Sequence, residues 1–463
     1  MLLLPSGRAV APPKTSYPSH AWLAAILPKD ARSFRVQDPK LAAALAEAGG
    51  VLVDDAPDVE IASASDLRGD ARRGVIAVER NPRDGVVGLA RVAARLSGPM
   101  ALRRDIKAAR GGLERRGYDR LQLATWDLGR SLRFGGDDQR RNLRERLPRN
   151  AAVLGDRPGI GRPETLLEAV EAQAGESRGG HIGKSVPGVR AGILVNVATE
   201  GVLRTAVGPA RLQLLSQVAA LKQLRSSAAR ALDDSLIPWT IGRGRVGLAD
   251  WSLEKKLPGS TPGWELDVGL VGPALDFLVA LHSCRGPVNE RHSPADDADV
   301  AASFMDEARA ASLRAVGRRV AVAVADLPHG FGHGDFFTSN LLVDRGRLVG
   351  VVDWDAAGPN RPPLLDFIHL WLTGRRKVGD LDWGPTIVSD LFPWARSGGD
   401  DVLRSLAART GVDASPETLE ALVTAYWLSR VAYQLTRYAD RVERDAWMKQ
   451  NIDLVLQEVA ARS

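Results

Sequence analysis

Two apolar runs, Leu341-Leu342-Val343 and Val349-Gly350-Val351-Val352, stand on either side of Arg345-Gly346-Arg347. Short β-branched runs separated by a glycine-bearing turn have one economical solution, an antiparallel hairpin. The hairpin constrains everything around it, because its open end must carry Asn340 on one strand and Asp353 on the other. Asp335 lies five residues before Asn340, in His333-Gly334-Asp335-Phe336-Phe337-Thr338-Ser339-Asn340.

A carboxylate, an amide and a second carboxylate gathered this way suit phosphoryl transfer. The first Asp can orient an acceptor hydroxyl and take its proton, while the Asn and the second Asp offer hard oxygen ligands to Mg²⁺ on a triphosphate. One Asp-Asn pair alone would more often be a turn. The ordered set from His333 to Asp355 resembles the catalytic segment of the aminoglycoside phosphotransferase and choline kinase group of kinase-like enzymes. The resemblance implies Asp335 as catalytic base, Asn340 and Asp353 as magnesium ligands, and His333 as a brace for the loop. It also implies Asp366, in Leu364-Leu365-Asp366-Phe367, as the structural aspartate that ties the loop down. ATP and Mg²⁺ follow as expected cofactors, and a small molecule bearing a hydroxyl as the acceptor.

Upstream segments keep the family's order. Residues 191–198 and 202–207 read as one hairpin, and Ile237-Pro238 precedes another whose second strand, Asp250 to Lys256, runs into Leu257-Pro258-Gly259. This last segment resembles the hinge on which the family holds adenine, making Glu254 and Lys256 candidate cofactor contacts. The resemblance covers about 160–463 and implies a two-lobed α+β domain, with a small β-rich lobe over 164–258 and a large helical lobe over 259–463. Two positions depart from it. Arg204 stands where the family places a phosphate-holding lysine, and Gln217 where a helix glutamate would fix that lysine. Lys184, in Gly179-Gly180-His181-Ile182-Gly183-Lys184-Ser185, is a possible substitute, although the segment lacks P-loop spacing. With both family residues replaced, a pseudokinase or nucleotide-binding scaffold is the alternative reading.

The first third alternates strand and helix. Ser33-Phe34-Arg35-Val36, Val51-Leu52-Val53, Val59-Glu60-Ile61, residues 74–78 and Leu121 to Thr125 are strand signals, with helices expected over 39–48, 84–96 and 100–116. Such alternation argues for an α/β domain with a mostly parallel sheet over 1–150. It weakly resembles the Rossmann-like methyltransferase fold but lacks a glycine-rich turn after its first strand, so a methyltransferase or sugar-nucleotide enzyme is a third reading. The Gly- and Pro-rich stretch 151–163 reads as a linker.

A formal net charge of +6 raises the question of nucleic acid. Residues 101–150 hold 14 Lys/Arg against 7 Asp/Glu, so this stretch carries +7 by itself. Those bases are interspersed with acids and lack interleaved aromatics, which argues for a solvated face and against nucleic acid. No apolar run approaches the roughly 18 residues needed to span a bilayer, and Met1 to Pro5 lacks a basic n-region; a cytoplasmic protein is expected. The single Cys284 cannot form an internal disulfide and reads as a small core residue. Asp380, Asp382, Asp390, Asp400 and Asp401 could give an amine-bearing acceptor an acidic wall.

Overall fold

The computed structural model describes residues 23–63, 65–68, 74–80, 104–116, 119–127, 131–135, 150–156, 164–176, 188–190, 193–197, 201–226, 232–262, 268–285, 292–375, 383–437 and 445–461. The chain divides into two compact units, one of Thr15–Leu214 with Ile241–Lys256, the other chiefly of Leu215–Thr240 with Leu257–Ser463.

The first unit holds two sheets. Strands β1 (Ser33–Val36), β2 (Val51–Leu52), β3 (Val59–Ala62), β4 (Gly74–Arg80), β5 (Asp119–Asp127), β6 (Ser131–Gly135) and β7 (Asn150–Asp156) form a seven-stranded sheet in the order β2-β1-β3-β4-β7-β5-β6. The neighbours among β1 to β4 run parallel, whereas β7 is antiparallel to both β4 and β5. All four residues of β3 are buried, the condition of a strand covered on both faces. One of them is Glu60, whose carboxylate is held 3.1 Å from Arg35 of β1. Helices α1 (Leu23–Ile26), α2 (Pro39–Glu47), α3 (104–115) and α4 (Leu166–Glu176) belong to this unit. Thr165 and Glu168 begin α4 with reciprocal side-chain to backbone bonds, a capping box.

The second sheet is five-stranded, ordered β11-β12-β10-β9-β8, with β8 (Gly188–Arg190), β9 (Ile193–Val197), β10 (Gly201–Val207), β11 (Thr240–Val246) and β12 (Ala249–Lys255). Helix α5 (Ala210–Ser226) follows β10. Leu203, Val207, Trp251 and Leu253 of this sheet lie in one apolar core with Phe34, Val59, Ile61 and Ile76 of the other. Polar contacts reinforce that core: Trp251 Nε1 donates to Gln173 at 2.8 Å, and Arg245 Nη2 donates to the Ala48 carbonyl at 2.6 Å.

The other unit is mostly helical, with α6 (Val268–Ser283), α7 (Pro294–Ala302), α8 (Glu307–Ala323), α9 (Leu365–Arg375), α10 (Trp383–Thr386), α11 (Phe392–Arg396), α12 (Asp401–Thr410), α13 (Pro416–Arg437), α14 (Asp445–Met448) and α15 (Leu454–Ala460). Helix starts follow the residues that can cap them. Ser293 and Asp296 form a capping box ahead of Pro294, and Asp306 accepts from Arg309 N at 3.0 Å. Four short strands, β13 (Gly330–Gly332), β14 (Leu341–Asp344), β15 (Arg347–Val351) and β16 (Gly358–Arg361), pair as β13-β16 and β14-β15. Trp354, Trp427, Tyr426, Phe331, Phe336 and Phe392 are its largest fully buried side chains.

Four expectations are corrected. The stretch 151–163 is no plain linker, because Asn150–Asp156 is strand β7, hydrogen-bonded on both edges; a Gly/Pro count does not see pairing partners 24 to 82 residues away. Nor is 1–150 a separate body, since its sheet shares a core with the five-stranded sheet. Residues 215–240, expected in the small lobe, group with the helical unit, which resumes at Leu257. The sheet of the first unit is mixed rather than mostly parallel. Lys184, the Gly179 to Ser185 segment and the helix expected over 84–96 lie outside the described residues.

Candidate active site

The hairpin forms as its sequence dictates. Asp344 pairs with Arg347, so the loop is the two residues Arg345-Gly346, both at positive φ (47° and 73°), as a type I′ turn requires. Leu341 pairs with Val351 at the other end, and Val352 N donates to the Asn340 carbonyl at 2.9 Å. Asn340 and Asp353 are therefore neighbours across the open end. Asp353 adopts the left-handed conformation, φ 71° and ψ 54°, a strained state for a residue with a side chain and one that clusters at functional sites.

Asp366, at the start of α9, accepts from the backbone N–H of His333 and of Gly334, both at 2.7 Å. These two bonds anchor the loop from the helix. Gly334 has φ 79°, and a side chain there would collide with the Ala356 carbonyl, so only glycine fits. His333, fully buried, accepts from Asp335 N at Nδ1 (3.3 Å) and donates from Nε2 to the Val352 carbonyl (3.1 Å), its ring 4.6 Å from that of Trp354. Since Nδ1 accepts, the proton sits on Nε2, and the imidazole links the loop to the strand that carries Asp353.

Arg430, His369, Asn340 and Tyr433 all approach the Asp335 carboxylate. Oδ1 accepts from Arg430 Nη1 at 2.9 Å and from His369 Nε2 at 3.1 Å. Oδ2 meets Asn340 Nδ2 and the Tyr433 hydroxyl, each at 3.4 Å. Asn340 Nδ2 also donates to the Asp335 carbonyl at 2.8 Å, so both of these bonds use the amide nitrogen and not the oxygen. Burial, and then the neighbouring Arg430 charge, push the His369 imidazole down to about 4. Its Nδ1 is bonded to the Tyr426 hydroxyl at 2.7 Å.

His369, Arg430, Tyr426 and Tyr433 were not identifiable from the sequence. The one available signal was the spacing of Tyr426, Arg430 and Tyr433 at i, i+4 and i+7, which puts all three on one face of α13. A guanidinium–aromatic stack sits there too, with the Arg430 guanidinium 4.2 Å from the Tyr433 ring and 5.1 Å from the Trp383 ring. Trp383 opens α10, where Asn451 Oδ1 accepts from Trp383 N at 2.6 Å and Gly384 N at 3.0 Å. Asn451 itself lies in a π-helical turn, Lys449–Asp453.

In the five-stranded sheet, Arg204 and Glu254 are both buried and form an ion pair, Nε to Oε2 at 3.3 Å. Arg204 lies opposite Ser252, so Glu254 reaches it diagonally across the strands. Arg204, expected to lack a steadying glutamate, thus has Glu254 as an acidic partner. Gln217 is buried on α5, and Lys256 is exposed. The acidic residues that follow Asp355 have local partners where they are described. Asp400 caps α12 through Leu403 N, Asp401 pairs with Arg404, and Asp390 accepts from Ser389, while Asp380 and Asp382 lie outside the described residues. Cys284 is buried at the end of α6 and bonds the Ala280 carbonyl, as a core residue would.

No helix among the described residues is long and apolar enough to cross a membrane. Residues 194–398 match the model of the phosphotransferase enzyme family. The comparison with curated proteins gives no match. Among solved structures, an aminoglycoside phosphotransferase from Streptomyces rimosus is 17% identical, with 56% of this chain and 96% of that one covered and a TM-score of 0.37. The macrolide 2′-phosphotransferase of Brachybacterium faecium is 16% identical over 57% of this chain and 87% of that one, at 0.32. The segment that matches the phosphotransferase enzyme family model, residues 194–398, is the one that carries Asp335, Asn340, Asp353 and Asp366 in order.

Proposed function

We propose that the chain is an ATP- and Mg²⁺-dependent phosphotransferase that transfers the γ-phosphoryl group to a hydroxyl of a small molecule. The observation that carries this reading is the arrangement at the hairpin's open end. Asp335 is held at Oδ1 by Arg430 and His369, beside an Asn340 whose amide nitrogen donates to the Asp335 carbonyl. In the proposed reaction the acceptor's hydroxyl oxygen bonds to the γ-phosphorus and its proton passes to Asp335. The bond to the β–γ bridging oxygen breaks, and ADP leaves with that electron pair.

The residues present fit a magnesium ion. Asn340 Oδ1 takes no partner among the described residues, because Nδ2 makes both of the side chain's bonds. Asp353 supplies a carboxylate one hairpin strand away. The described residues contain no cluster of three His, Cys, Asp or Glu that could hold a metal, in keeping with an ion that takes one or two protein ligands and completes its shell with phosphates and water. When bound, it would neutralise charge on the phosphate oxygens. The alternative, a pseudokinase or nucleotide-binding scaffold, was raised by Arg204 and Gln217 in place of a Lys/Glu pair; the buried Arg204–Glu254 ion pair gives Arg204 an acidic partner and supports the enzyme reading.

The test begins with thermal unfolding in Mg-ATP. Stabilisation should grow as RT ln(1 + [L]/Kd), about 2.7 kcal/mol at a hundredfold excess over Kd, and Asp353→Ala should abolish it. ADP release should then rise with one member of a panel of hydroxyl acceptors. Wild-type protein unmoved by millimolar Mg-ATP would sink the reading.

A further inference from the structure

We infer that Arg430, assisted by His369, is a positioning residue for Asp335, holding its carboxylate by Oδ1 and so setting the orientation in which the base meets the acceptor hydroxyl. The inference rests on the phosphotransferase reading and adds to it the part of the molecule that aims the base. Arg430 is 5% exposed, and a guanidinium so buried is costly unless it is paired. Nη1 meets that need twice, on Asp335 Oδ1 at 2.9 Å and on the Gly334 carbonyl at 3.0 Å. The same group thus grips the carboxylate and the loop backbone next to it. Trp383 and Tyr433 flank the guanidinium and restrict its swing.

His369 completes the grip from α9. Neutral at ordinary pH, it offers Oδ1 an N–H without a second positive charge, and the Tyr426 hydroxyl sets which nitrogen carries the proton.

Oδ1 thus has two donors at ordinary hydrogen-bond distance, Arg430 from α13 and His369 from α9. Phosphoryl transfer depends almost entirely on positioning, so a loosened carboxylate should be felt in turnover rather than in nucleotide binding.

The experiment measures steady-state ADP release from Mg-ATP, with water as the acceptor, in wild type, Arg430→Met and Arg430→Lys. Arg430→Met should lower kcat about 100-fold, the scale of a misplacement near 1 Å, with KM for ATP within about threefold of wild type. Arg430→Lys, which restores a charged donor but not the planar fork, should recover part of the loss. Wild-type kcat in Arg430→Met overturns the inference, as does a parallel change of kcat and KM that lysine leaves unrelieved. If wild type neither binds Mg-ATP nor releases ADP, the reading beneath has failed. Amide exchange in the ligand-free protein then still decides on the grip: Arg430→Met should speed exchange over 333–340 and leave α8 unchanged, and equal exchange in both proteins refutes it.

Discussion

At His369 the fold keeps an imidazole neutral by burying it beside Arg430, and stability should therefore depend on pH through this one side chain. The unfolded chain takes up its proton near 6.5, while the native state resists until about 4. Between those values the unfolded state binds more protons, so stability rises with pH. The contribution is whole above 6.5 and is lost as pH falls toward 4, about 3 kcal/mol in all at 1.36 kcal/mol per pH unit. His369→Gln keeps a donor for Asp335 and cannot titrate. Melting curves between pH 7 and 4 should fall more steeply for wild type than for this variant; parallel curves would mean that His369 is protonated in the native protein.

Strands β10 and β12 carry a charge pair that neither strand could bury alone. Each side chain would face a large desolvation penalty without the other, and the pair repays that penalty only while both are present. Arg204→Met or Glu254→Gln should each cost about 3 to 5 kcal/mol, the usual loss when one partner of a buried pair is removed. The double variant should cost well below the sum of the two. Urea unfolding in a double-mutant cycle measures the coupling, and additive losses would show that the two side chains do not act as a pair.

For the whole molecule, the shared core in the first unit bears on truncation. A fragment of residues 164–463 would keep β10 and β12 while losing Phe34, Val59, Ile61 and Ile76, against which Leu203, Val207, Trp251 and Leu253 are buried. Each such apolar side chain contributes roughly 1.5 to 3 kcal/mol when buried, comparable in sum with the stability of a domain. The fragment should be insoluble or lack cooperative unfolding, and proteases should spare 150–156, whose backbone is paired on both edges. A soluble fragment with a sharp melting transition would show that the five-stranded sheet folds without its neighbour.

The sequence by itself determined the hairpin and what hangs on it. Asp335, Asn340 and Asp353 fall within 19 residues, and the turn at Arg345-Gly346 folds the two short strands together, although the register shift between Leu342 and Val343 was not legible. Asp366 was within reach for the same reason, since one loop and one helix start connect it to the site. Tertiary structure decided the rest. Arg430 meets Asp335 across 95 residues, His369 across 34, and Glu254 meets Arg204 across 50. A buried charge takes as its partner whatever the folded chain brings within about 3 Å, and no periodicity in the sequence encodes that proximity. Strand β7 was hidden in the same way: Asn150–Asp156 has the composition of a connection, and only pairing with β4 and β5 makes it a strand.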